Sequence, residues 1–280
     1  MSRLNAFVAH QPCTAKVAEG GRGVNGAGMG TSGDRIARKK AELDRLRPLS
    51  GKSLAALSSW YDVELTYTSN AIEGNTLTRS ETAIVLEKGL TIGGKPLKDH
   101  LEAIGHKDAL DYVRALAARD EPVREGDVRA IHRLVMRRVD PDEAGRYSGH
   151  QRQILGSTLV LPSPAEIPAL MGDLGQWLAK APPTPETAFT AHEGLVTIHP
   201  FSDGNGRTAR LLMNLVLLKG GYPPVVIGPE HRAAHIDSLQ ALQLGRDPAL
   251  YRDFMTERLE AGLDHTLAML NRGLDQGSVL

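Results

Sequence analysis

The residues best equipped for chemistry run from His199 to Arg210: His199-Pro200-Phe201-Ser202-Asp203-Gly204-Asn205-Gly206-Arg207-Thr208-Ala209-Arg210. Gly204 and Gly206 permit backbone angles at which successive N–H groups converge on an anion. The apolar run Leu211–Leu218 predicts a helix starting at that turn. Its dipole and unpaired N–H groups would strengthen the anion hole. Arg207 and Arg210 are three apart, hence on one helix face, and can clamp phosphate oxygens. Asp203 is oddly placed beside a bare anion but fits as an oxygen ligand for Mg²⁺ on a polyphosphate. His199 is a base of suitable unperturbed pKa. Pro200 biases it away from helical geometry, so a helix should end there. A helix-capping loop with a surface histidine and two solvated arginines is the plainer reading. The crowding of base, acid, glycine nest and phased arginines into twelve residues argues against it.

A second stretch, Ser69-Asn70-Ala71-Ile72-Glu73-Gly74-Asn75, places an acid at the predicted end of a helix, before a capping glycine. There Glu73 opposes the helix dipole, at a cost of about 0.3–1 kcal/mol unless a cation compensates. Ser69 lies four residues earlier on the same face. Other motifs fail. Gly51-Lys52-Ser53 lacks the earlier glycine of a phosphate-binding loop, since position 46 is Leu46, and no strand precedes it. His192-Glu193 has Val196 where a zinc-binding helix needs a second histidine. His231 and His235 could share a metal, but two histidines on a polar face are more often solvated.

Helical spacing must position these residues. Leu57, Tyr61, Leu65 and Ile72 form one apolar stripe. Thr78-Arg79-Ser80-Glu81 has capping-box spacing, so a helix should start there. Further helices are predicted near 97–118, 125–138, 166–180, 186–199, 207–219, 231–244 and 249–272, with prolines marking several breaks. Ile154-Leu155, a Gly156-Ser157 turn and Thr158-Leu159-Val160 read as a short hairpin. The expected architecture is one all-α domain, residues 49–280, with a small β-hairpin flap and a Gly-rich basic arm over residues 1–48.

Composition narrows the function classes. The 280 residues include 33 basic and 33 acidic side chains, which argues against an extended nucleic-acid surface. Residues 1–47 hold nine Lys/Arg against four Asp/Glu, so the balance conceals a basic start of +5 and a body of −5. Aromatics at 4% argue against base-stacking platforms. The single cysteine, Cys13, excludes an internal disulfide framework and suggests a reducing, cytoplasmic setting. No apolar stretch is long enough to span a membrane.

Residues 199–210 resemble the signature of the Fic (Fido) family, His-Pro-Phe-x-(Asp/Glu)-Gly-Asn-Gly-Arg-x-x-Arg, at every fixed position. The likeness continues through Leu211–Asn214 and Gly221–Pro224, and with the upstream helices spans roughly residues 50–265. It implies an all-α Fic bundle with a β-hairpin flap, and transfer of AMP from ATP to a hydroxyl side chain (Ser, Thr or Tyr) of a target protein. His199 would be the general base and Asp203 would hold Mg²⁺. Gly204, Asn205 and Gly206 would form the anion hole, with Arg207 and Arg210 on the phosphates. The flap residues Ile154, Leu155, Thr158 and Leu159 would align the target backbone by strand addition.

Ser69 and Glu73 match the family's inhibitory motif, (Ser/Thr)-x-x-x-Glu-(Gly/Asn). The resemblance implies that Glu73 pairs with Arg210, blocks the γ-phosphate position, and makes a separate antitoxin unnecessary. It also admits removal of AMP from the target by the same glutamate. A homodimer is in keeping with the family, and the apolar helix after Ser50 could take part. Many relatives carry a Tyr-Tyr pair near the adenine where this chain has His235-Ile236, while an amide is kept as Gln243. Nucleotide preference therefore stays open. The alternatives are transfer from another nucleotide or phospho-donor, and a non-catalytic nucleotide-binding interaction module.

Overall fold

The computed structural model describes residues 32–153 and 159–275, with side chains through Arg272. The described chain forms α1 Ser32–Arg45, α2 Gly51–Ile72, α3 Arg79–Lys88, α4 Leu97–Ala117, α5 Glu125–Met136 and α6 Ile167–Leu178. After these come α7 Pro185–Ile198, α8 Asn205–Lys219, a 3-10 turn Pro229–His231, α9 Arg232–Gln243 and α10 Pro248–Asp275. No strand occurs among the described residues, and no described helix is long and apolar enough to cross a membrane.

Helix α8 is the centre of the bundle. Twelve of its fifteen residues are buried, so it presents no solvent face and is packed all round. Helices α7, α4, α5 and α2 surround it. Asn214, the polar break in its apolar run, is spent on the backbone of Val225. It accepts from the Val225 N–H at 2.8 Å and donates to the Val225 carbonyl at 3.2 Å. A buried amide paired on both edges costs the core little. The N-terminal end of α8 is therefore held rigidly by everything around it.

Local rules explain the helix ends. Ser50 caps α2 through a 3.1 Å bond from the Ser53 N–H. The capping box at Thr78 and Glu81 forms as its spacing predicts, at 3.2 and 2.7 Å. Gly74, at φ 95°, turns the chain away from the end of α2. The later helices agree with the periodicity to within a few residues at each end.

One expectation is corrected. Residues 32–45, assigned to a flexible arm, form α1, whose Ile36 and Leu43 enter the core. Arg35 and Lys39 bind Glu260 of α10 at 2.9 and 2.8 Å, and Lys39 also binds Asp264 at 2.7 Å. These cations hold the Glu260 carboxyl down at about 2, first by hydrogen bonding and then by charge. A helix this polar looks like a solvated segment until its partner helix is known. The predicted hairpin is a different case: Ile154, Leu155 and Thr158 lie outside the described residues. Leu159 beside them is half-buried and not in a strand, and Gln151 donates to the Leu161 carbonyl at 3.1 Å across the base of this segment.

Helices α4 and α5 touch at Gly105. A Cβ there would sit 2.8 Å from the Val135 carbonyl oxygen and 3.0 Å from that of Leu134. Both obstacles are backbone, so neither can rotate away. Gly105→Ala should lower stability by about 1–3 kcal/mol, seen as a lower urea midpoint at unchanged slope.

Candidate active site

Helix α7 ends by handing the chain to His199, whose N–H still donates to the Leu195 carbonyl at 2.9 Å. His199 adopts φ 52°, ψ 55°, and is the one non-glycine residue at positive φ among the described residues. That conformation costs a residue with a Cβ about 1–2 kcal/mol. It persists because the following loop is clamped. Asn205 spends its whole side-chain amide on Phe201, accepting from the N–H at 3.0 Å and donating to the carbonyl at 2.8 Å. The Ser148 N–H donates to the Pro200 carbonyl at 2.8 Å. Ser202 donates to Glu143 at 2.7 Å.

A residue that the sequence reading did not single out completes the clamp. His132, on the buried face of α5, stacks on Phe201 with ring centroids 3.6 Å apart. Its Nδ1 accepts from the Gly145 N–H at 2.8 Å. Its Nε2 therefore carries the proton and donates to the Asp203 carbonyl at 2.9 Å. Burial pushes the His132 pKa down to about 4, so the ring is neutral and keeps this tautomer. The sequence hint was a histidine at a core position among Val128, Ile131 and Val135.

At the turn, Gly204 takes φ 73° and caps α8. A Cβ on it would meet Met136 Sδ at 2.9 Å and His132 Nε2 at 3.3 Å. Asp203 accepts from the Gly204 N–H at 2.6 Å and keeps a side chain that is 57% exposed. Arg207 is 2% exposed, with Nη1 3.0 Å from Glu102 and Nη2 3.4 Å from Asp203. Neither its Nε nor its Nη1 makes a hydrogen bond, so the Glu102 contact is a close ion pair.

Arg210 is gripped from the other side. Its Nε donates to Ser69 Oγ at 2.9 Å, and its Nη2 to the Ser69 carbonyl at 2.9 Å and to Glu73 Oε1 at 2.8 Å. A Cβ at Gly206 would collide with Glu73 Oε1, so glycine there is what admits the carboxylate. Burial alone would raise the Glu73 pKa, but the charge and hydrogen bond of Arg210, with Arg207 behind, bring it below the usual carboxylate range. A lowered folded pKa means the ion pair is fully formed above the ordinary carboxylate pKa. Its contribution is lost only as pH falls through the lowered value. The dipole penalty expected for Glu73 is thus compensated by a cation on another helix.

The His199 pKa is lowered, chiefly by burial and also by the charge of Arg152, with the Val196 carbonyl, Glu73 and Asp203 acting the opposite way. A ring that is neutral near pH 7 can accept a proton.

His235 was expected near the base of a nucleotide. It is buried at 4% exposure, its ring 5.3 Å from that of His192 and 5.5 Å from that of Phe254. Burial, with the charge of Arg210, pushes its pKa down to about 3. It belongs to the packing behind Arg210 rather than to an open surface. Gln243 donates to Thr197 Oγ1 at 3.0 Å and ties the end of α9 beside His199. Among the described residues, no group of three or more His, Cys, Asp or Glu is arranged to hold a metal.

The arrangement is a neutral histidine, an exposed carboxylate and two arginines grouped around a helix N-terminus. Residues 122–217 match the sequence model of the Fic/DOC family. A protein adenylyltransferase Fic of Nematostella vectensis is 36% identical over 240 residues, 84% of this chain and 55% of that protein. One of Aedes aegypti is 35% identical, covering 82% of this chain and 47% of that protein. The chain thus spans about half the length of these curated relatives. The solved structure of Fic-1 (residues 134–508) from Caenorhabditis elegans superposes with TM-score 0.76 at 31% identity, over 86% of this chain and 73% of that one. A Fic domain-containing signalling protein from Bacteroides thetaiotaomicron superposes with TM-score 0.77 at 28% identity, over 85% of this chain and 97% of that one. By sequence and by fold, this chain belongs to the Fic/DOC family.

Proposed function

We propose that the chain is a protein adenylyltransferase that moves AMP from ATP to a hydroxyl side chain of a target protein, and that Glu73 restrains it. The observation that carries this reading is a strained His199 with lowered pKa within electrostatic reach of Asp203 and Glu73 at the entry to α8, while Arg210 is occupied by Glu73. The curated relatives bear the name of that activity.

In this reading His199 takes the proton of the target hydroxyl as its oxygen attacks the α-phosphorus. The bond from that phosphorus to the oxygen bridging the β-phosphate breaks, and pyrophosphate leaves with the bonding pair. The α8 N-terminus and Arg207 stabilise the charge that develops on the phosphate oxygens. Positioning does the rest, which the clamped loop supplies by holding His199 in one conformation. Mg²⁺ fits the donor set: Asp203 offers one exposed carboxylate, and Mg²⁺ is commonly held by one or two carboxylates plus substrate phosphates. When bound it would neutralise phosphate charge. Glu73 on Arg210 takes the place a terminal phosphate would need. The brake lies within the chain, so no separate inhibitory partner is required, and the single cysteine suits a cytoplasmic setting.

His235 is buried, so nucleotide choice is tested together with activity. Glu73→Gly should raise auto-modification by labelled ATP. A charge-assisted bond of about 1.5–3 kcal/mol sets the expected rise at about 10- to 150-fold. Mass spectrometry after incubation with ATP, CTP, GTP and UTP identifies the transferred group. Adding His199→Ala to Glu73→Gly should cut the rate by about 10²–10⁴-fold. Equal labelling of wild type and Glu73→Gly, with ATP binding intact in both, would overturn the restraint.

The same variant gives a pH test. Because the His199 pKa lies below 6.5, the base is already free at neutral pH. The rate should rise with pH through a midpoint below 6.5 and then level. A midpoint well above neutrality would remove His199 from the role of base.

A further inference from the structure

Glu102 lies on the inward face of α4 and is 6% exposed. Its two oxygens face different partners. Oε1 is 3.0 Å from Arg207 Nη1, with both side chains under a tenth exposed. Oε2 accepts a 2.9 Å bond from the side-chain amide of Asn75. Lys98 lies 3.7 Å from Oε1, but its side chain is 60% exposed and adds little.

Asn75 is the second residue after Glu73, and its remaining bonds all serve the turn that carries Glu73. Its backbone N–H donates to the Asn70 carbonyl at 3.1 Å. Its Oδ1 accepts from the Leu77 N–H at 3.0 Å. Its Nδ2 also reaches the Asp99 carbonyl at 3.0 Å. Next to it, the Thr76 N–H and hydroxyl both donate to Asp99, at 2.8 and 2.6 Å. The turn behind Glu73 is therefore seated on one edge of α4, and the Glu102 seat is shared with Arg207.

We propose that Glu102 is a positioning residue that couples this turn to the phosphate-binding arginine. One carboxylate orients Arg207 and seats the segment that carries Glu73 to Arg210. Restraint of the two arginines is then a single linked state, and unseating Asn75 releases Glu73 without changing any group that would touch nucleotide. The inference rests on the adenylyltransferase reading for its activity readout, and on geometry alone for its structural one.

Reversing donor and acceptor tests it. Asn75→Asp sets a carboxylate against Glu102, and like charges at this range repel strongly in a buried setting. Glu102→Gln sets an amide donor against the Asn75 donor. In the double variant, the new amide at position 102 can offer its N–H to the new carboxylate at position 75 and its carbonyl to Arg207, so the contact between the two positions is re-formed while the bond to the Asp99 carbonyl stays lost. Asn75→Asp should raise auto-modification at least about tenfold toward the Glu73→Gly level, and the double variant should fall back from it toward wild type; Glu102→Gln also withdraws the carboxylate that orients Arg207, so it is read by exchange rather than by labelling. Lost packing alone would make the double variant worse than either single one.

Hydrogen–deuterium exchange over residues 69–78 gives a reading that needs no catalysis. Protection should drop in each single variant and return in the double variant. If Asn75→Asp does not fold, Asn75→Ala removes the donor without adding charge and should move exchange the same way. Wild-type exchange in both single variants with wild-type labelling in Asn75→Asp, or no recovery of exchange in the double variant, overturns the coupling. Inactivity of Glu73→Gly itself, with the exchange pattern as expected, overturns the adenylyltransferase reading and leaves the coupling standing.

Discussion

Two guanidinium groups are buried at the N-terminal end of a helix that has no solvent face. Arg207 and Arg210 are 2% and 7% exposed, and an arginine does not give up its proton inside a protein. Their charge must be met on the spot, because an unpaired buried charge is strongly destabilising. The surroundings are organised by that demand. Glu102 and Asp203 face Arg207; Ser69 and Glu73 face Arg210. The histidines nearby, His106, His132 and His235, are held neutral by burial at about 3, 4 and 3, so they add no competing positive charge. A pair of buried cations beside free helix N–H groups is a standing demand for anions. In this structure the demand is met in part by carboxylates of the protein itself.

That arrangement sets an acid of the protein where the proposed nucleotide would bring its own. The Glu73 carboxylate is 37% exposed, while its partner Arg210 is 8% exposed. The acid thus sits at the mouth of the site and the cation inside it. The loop that carries His199 is built in the opposite way. It is over-determined by Asn205, His132, Ser148 and Glu143, and so sustains a backbone conformation that histidine adopts at a cost. The exposed acid and the clamped loop are kept on different elements, the end of α2 and the entry to α8.

Much of this was legible before any fold was known. Capping-box spacing at Thr78, a proline after His199, and a glycine after Glu73 mark helix ends because the physics of an end is local. The dense stretch from His199 to Arg210 was legible for the same reason, since one turn and one helix face bring its groups together. What escaped was set by partners distant in the chain. Helix α1 is polar over most of its surface, and only Glu260 and the core contacts of Ile36 and Leu43 show that it is docked. His132 looked like any histidine on an apolar face until its two ring nitrogens were seen bonding Gly145 and Asp203. His235 takes the place of a tyrosine that many relatives carry near the adenine, and only the fold shows it packed against His192 and Phe254.

The amino-acid sequence by itself determined the helical composition, the glycine turn, His199 with its two arginines, and the presence of an acid at the end of α2. Each depends on residues within about one or two helical turns of one another, where periodicity and capping rules apply. Only the tertiary structure decided which charge meets which. It brought Glu73 to Arg210 across 137 residues of chain, set Glu102 between Asn75 and Arg207, and drove His199 and His235 to the neutral state. The reason is that ion pairing and desolvation depend on distance in space and on the exclusion of water. Both exist only once the helices have packed around α8.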